Sequence, residues 1–127
     1  MKIKIAIDVE ETIRSALSDY MTTYVRPLPE DFTVPSILIT AVGGSEANEI
    51  SAFDVTVDSR ANDEETAQLN LRKAVGLIQA IAESQRTALR YVTVNTLMSW
   101  GRDPVRQELA MCTARIRVYA HEETTEV

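Results

Sequence analysis

The sequence predicts an α+β domain, a mostly antiparallel β-sheet with two helices packed on one face, in the order (β)αββαββ. Three patterns carry that prediction. Over residues 63–86, Leu71, Ala74, Val75, Ile78 and Ala82 recur at the spacing of one helical stripe, which Leu77 and Ile81 widen enough to lie across a sheet. Behind Asp8, residues Ile13, Ala16, Leu17, Tyr20, Met21 and Tyr24 keep the same spacing. Phe53, Val55 and Val57, and later Cys112, Ala114, Ile116 and Val118, alternate with polar residues instead, the two-residue period of a half-buried strand.

In chain order, Lys2 to Ile7 alternates and suits a short strand or an ordered arm. Asp8 with Glu11 three positions on has the form of a capping box and opens a helix over 8–24. Pro27 lacks a donor and drives Arg26 out of the helical region, so 25–35 should be an extended connector with Pro35 at the mouth of a strand. Ser36 to Val42 is nearly continuous in apolar residues, as in a strand covered on both faces. Gly43-Gly44-Ser45 then predicts a turn and Glu46–Glu49 a polar loop.

After the strand Phe53–Asp58 and a short turn, Asn62 or Asp63 caps the long helix, with Glu64 and Glu65 at the positive end of its dipole. Ala88 to Ser99, around the run Tyr91–Met98, is a further strand, Trp100 to Pro104 has turn chemistry, and 105–120 is a long final strand. Within it Leu109 and Met111 are apolar on the parity that later carries Thr113, Arg115 and Arg117. Either a bulge changes the phase near 110, or the outer face of the hairpin is apolar over its first half. The polar, acidic stretch 121–127 predicts a flexible tail.

A chain of 127 residues with 45% hydrophobic and 25% charged side chains is expected to form one domain, 1–127, without disulfides or structural metal. No apolar run reaches the roughly 18–20 residues of a membrane span, and no signal-peptide pattern opens the chain, so no membrane partner is expected. The single Cys112 lies in an alternating strand and suits a buried thiol better than a nucleophile. The net charge of −6 is uneven: residues 1–63 carry 5 basic and 11 acidic side chains, residues 64–127 carry 8 of each. That balance argues against a uniformly basic nucleic-acid face. Ten of the thirteen basic residues are Arg, which suits planar pairing at interfaces.

Catalytic constellations are scarce. Gly43-Gly44-Ser45 lacks the Lys of a phosphate-binding loop, and one histidine, His121, cannot build a triad or a zinc site. Asp54 and Asp58 share a strand face that suits solvation better than a divalent ion. No catalytic, cofactor-binding or metal-ligating residue is expected, and the chain is not expected to be an enzyme. Association is the better fit. Leu69, Gly76 and Ala80 fall beside Lys73 on the back of the long helix, where Glu, Lys or Gln would be ordinary, and a mid-helix Gly costs about 1 kcal/mol against Ala. Trp100 at an expected loop tip, with Leu109 and Met111 on the last hairpin, completes a candidate subunit interface.

The order of elements resembles the tail terminator, or tail completion, proteins of long non-contractile-tailed bacteriophages. The likeness runs over the opening helix Val9–Tyr24, the connector from Arg26 to Pro35, the strand Ile37–Val42, the run Phe53–Asp58, the Ala- and Leu-rich helix, and a final hairpin ending Arg115-Ile-Arg-Val-Tyr119. It implies an α+β subunit of a homo-oligomeric, hexameric ring. Such a ring caps the tail tube, stops its polymerisation and joins the tail to the head connector. The implied partners are a second copy of the chain, the tail tube protein and the head–tail connector protein, with genomic DNA passing through without specific binding. The implied location is the head–tail junction of the virion, after assembly in the bacterial host cytoplasm. Alternatives are a connector stopper of the neck, or a small ligand-binding or enzymatic α+β domain.

Overall fold

The computed structural model describes residues 1–47 and 50–127, with the backbone alone at Ala47. In chain order the elements are β1 (Lys2–Ile5), α1 (Val9–Leu17), β2 (Thr23–Val25), β3 (Ser36–Ala47), β4 (Ile50–Ala61), α2 (Glu64–Ser84), β5 (Leu89–Arg102), β6 (Ala110–His121) and β7 (Glu123–Glu126). The main sheet runs β2-β3-β4-β6-β5, antiparallel except for the β2–β3 pair, and β1 pairs with β7 in a separate ribbon. The α+β class and the helices packed on a sheet are as the periodicity predicts.

The N-cap of α1 is Asp8, whose carboxylate accepts the Glu11 N–H at 3.1 Å, while the Glu11 carboxylate pairs with Arg14. Only half of the expected capping box therefore forms. The helix also ends at Leu17 rather than 24. Thr23, Tyr24 and Val25 are β-branched or aromatic, and they gain more by pairing in parallel with Ile37, Leu38 and Ile39 than by extending a helix toward Pro27.

The expected turn at Gly43-Gly44-Ser45 is instead part of β3, which continues to Ala47. The register against β4 shifts between Ala41 and Gly43, so Val42 is an extra residue, 63% exposed. A Cβ at Gly44 would lie 2.1 Å from the Ala52 carbonyl oxygen. The glycine pair thus serves a bulge and a close backbone approach. Of the expected polar loop 46–49, Glu46 and Ala47 are strand, and residues 48 and 49 lie outside the described residues.

Asp63, not Asn62, caps α2, accepting from the Thr66 backbone N–H at 2.7 Å and the Thr66 hydroxyl at 3.0 Å. The helix lays Ala67, Leu71, Ala74, Val75, Ile78 and Ala82 on the sheet, all buried. They meet Val55 and Val57 of β4 and Cys112, Ala114, Ile116 and Val118 of β6 in one core, which Ile13 and Leu17 of α1 join over β3. Ser59, fully buried, donates its hydroxyl to the Ala67 carbonyl at 2.7 Å and so ties β4 to the first turns of α2.

The end of the chain differs from a flexible tail. Residues 123–126 form β7, in register from Ile5↔Glu123 to Lys2↔Glu126. Alternating Lys and Ile on β1 supply a pairing strand that the acidic segment, taken alone, does not reveal.

Candidate interaction surface

Along the outer side of α2, Leu69, Lys73, Gly76 and Ala80 are all exposed, Leu69 at 42%. They follow one another at helical spacing on the side away from the sheet, and nothing lies within 4 Å of where a Gly76 Cβ would stand. The result is a strip whose C-terminal half, Gly76 and Ala80, carries only small residues.

The hairpin residues separate from one another. Trp100 is not at a loop tip: it lies within β5, opposite Cys112, and is 49% exposed. Leu109 is 1% exposed and precedes β6, with its N–H donated to the Arg106 carbonyl at 3.0 Å. A side chain folded inward by that turn cannot meet a neighbouring subunit, so Leu109 leaves the candidate interface. Because the strand begins at Ala110, Leu109 has no strand parity, and the phase break in the sequence reflects the strand boundary. Met111 is half-buried, its methyl group 3.6 Å from where a Gly101 Cβ would be.

A second uncovered surface escaped the sequence patterns. β5 is the last strand of the main sheet, 14 residues long, and Tyr91 (62%), Val94 (38%), Leu97 (45%) and Trp100 stand exposed along it. Its register against β6 shifts near Arg90, Asn95 and residues 97–98, with Met98 at φ 62°. These irregularities spoil the alternation that would have identified the strand's faces. At the opposite edge, β2 is only three residues long and covers residues 37–39 of β3, and Glu10 accepts the Ala41 N–H at 2.8 Å while pairing with Arg26.

At the far end of the hairpin, polar and aromatic groups lock the connector to the loop after β5. Arg60 and Asp103 are both buried, and Arg60 Nε donates to Asp103 Oδ1 at 2.7 Å. The Arg106 guanidinium stacks 4.6 Å over the buried Phe32 ring and donates to the Phe32 carbonyl, while Arg60 lies 5.9 Å from the same ring. Beside them Leu28, Pro29, Phe32, Pro104 and Val105 line a cavity of about 440 Å³. Burial pushes the Asp103 carboxyl up, but hydrogen bonds from Arg106, Arg60 and Val105, with the Arg60 charge, outweigh it and hold the group below the usual carboxylate range. No sequence period links residues 43 positions apart, so this lock was not legible beforehand.

Asp54 and Asp58 turn to cross-strand partners: Asp58 accepts the Thr113 hydroxyl at 2.6 Å and Asp54 faces Arg117 at 3.8 Å. Among the described residues no three His, Cys, Asp or Glu side chains gather as a metal site, and no helix is long and apolar enough to cross a membrane. Cys112 is buried, and desolvation with the nearby Asp58 charge pushes its thiol up to about 11. Compared with protein families and with curated proteins, the sequence gives no match.

Proposed function

We propose that this chain is a structural subunit of a bacteriophage tail, a tail terminator that assembles into a ring on the tail tube, stops its polymerisation and joins it to the head connector. One observation carries this: a single small domain leaves two unlike surfaces uncovered, the small-residue strip on α2 and the long free edge of β5. Rings require heterologous contacts, in which one patch of each subunit meets a different patch of the next. The helix–connector–strand order from Val9 to Val42, with its resemblance to tail terminators, supports the same assignment. The role is architectural rather than catalytic, and DNA passes the ring without being held by sequence.

Electron microscopy of particles assembled without this protein tests the proposal. Overlong tails lacking heads are the expected result. Tails of normal length joined to heads overturn it, and tails of normal length without heads transfer the protein to the stopper role.

A further inference from the structure

We propose that the β1–β7 ribbon of one copy pairs, through β7, with the free edge of β5 on a second copy. The proposal rests on the ring-subunit assignment only in taking the partner to be another copy of the chain. The ribbon needs a partner. Its two strands pair with each other but, among the described residues, pack substantially against no other helix or strand. Ile3 and Ile5 stand exposed on it, and a lone two-stranded ribbon is marginally stable in water. β5 needs one too, since it presents an unpaired row of backbone donors and acceptors beside exposed Val94 and Leu97.

Charge decides which edge of a second copy meets β5. β5 carries Arg90 and Arg102 and no acidic residue, β7 carries Glu123 and Glu126 and no basic one, and β1 carries Lys2 and Lys4. Two β5 edges laid antiparallel over residues 90–102 set Arg90 opposite Arg102, two β7 edges set Glu123 opposite Glu126, and β1 against β5 brings Lys to Arg. Like charges directly opposite one another destabilise a strand pair. Among these pairings only β7 on β5 joins opposite signs. Its two edges belong to different strands, so each copy offers one edge and receives the other, as a heterologous ring contact requires.

The test places a photo-crosslinking amino acid at the exposed Thr124 of β7. A mixture of isotopically light and heavy protein is irradiated, concentrated in solution and on tail tubes, and the products are mapped by mass spectrometry. Light–heavy products landing within residues 91–102 are expected. Arg102→Glu, which leaves the ribbon untouched, should lower their yield several-fold, and adding Glu123→Lys on the partner should restore it. Products confined to one copy, or landing on the α2 strip, on β3 or on another ribbon, overturn the proposal. If the expected products form while particles lacking the protein have normal tails, the strand pairing stands and the tail role falls. If tails are overlong and crosslinks land elsewhere, the tail role stands and the strand pairing falls.

Discussion

Arg60 donates its Nε–H to Asp103 across 2.7 Å, and both side chains are under one-tenth exposed. The pair joins β4 to the loop after β5, and the other Asp103 oxygen accepts the N–H groups of Val105 at 3.1 Å and Arg106 at 2.7 Å. Removing one member of a buried ion pair leaves the other charge uncompensated, which costs about 3–5 kcal/mol. Asp103→Ala should lose stability on that scale in urea unfolding. Arg60→Met combined with Asp103→Ala should lose clearly less, because no orphaned guanidinium remains. Equal losses in the single and double variants would mean that the backbone bonds to Asp103, not the ion pair, hold the loop.

The same pair sets an acid limit. The Asp103 pKa in the fold lies below its ordinary value of 3.8, so its contribution is complete above that value and is lost as pH falls through the folded value. The stability gap between the wild type and Asp103→Ala should therefore be constant near neutrality and shrink as pH falls below 3.8 and through the lowered folded value. Urea midpoints measured across that range check it. A gap that widens on acidification would reverse the assigned sign.

Cys112 gives an alkaline counterpart. Its thiol, raised from 9.0 to about 11, stays protonated and shielded at pH 8. Native protein should resist a thiol-specific reagent and react with one equivalent once unfolded in urea. A raised folded value also means that stability is full below 9.0 and is lost as pH climbs toward 11. Rapid labelling of the native protein would place Cys112 outside the core.

The core stripe of α2 and the strands 53–58 and 112–118 were legible because each buries one face, and burial imposes a period on the sequence. Where another force decides the structure, the periods misled or fell silent. Tyr20, Met21 and Tyr24 continue the helical spacing of α1, yet pairing with β3 turns Thr23–Val25 into a strand. Gly43 and Gly44 have turn chemistry, yet the glycines there accommodate a bulge and the Ala52 carbonyl. Of the candidate interface, the helix strip could be read because its residues share one element. Leu109 could not, because its burial depends on a turn closed by Arg106. The β5 edge was hidden by its own register shifts.

Ile78 tests the placement of the core. It is fully buried between α2 and the sheet, and truncating such a side chain to Ala costs about 2–5 kcal/mol, depending on how far the cavity collapses. Chemical denaturation of Ile78→Ala should fall in that range. A loss below about 0.5 kcal/mol, the size of a surface substitution, would rotate the helix away from its assigned face.

Gly76 tests the surface on the other side of the same helix. A side chain there meets open space, so a Glu can be introduced without a clash. Glu is the better helix former, and it would stand four residues after Arg72 and three after Lys73, so the isolated subunit should gain about 0.5–1 kcal/mol. If Leu69, Gly76 and Ala80 only face water, Gly76→Glu melts higher and functions normally. If a neighbouring subunit lies against the strip, the added carboxylate must be desolvated there, and the small residues no longer allow close approach. The expected outcome is therefore a subunit with an unchanged or raised melting temperature that fails to form rings on tail tubes. Thermal melts paired with an assembly assay separate the two cases, since a folding defect would lower the first measurement and an interface defect only the second. A stable Gly76→Glu protein that still caps tubes would remove the helix strip from the interface and leave the β5 edge to carry the subunit contact.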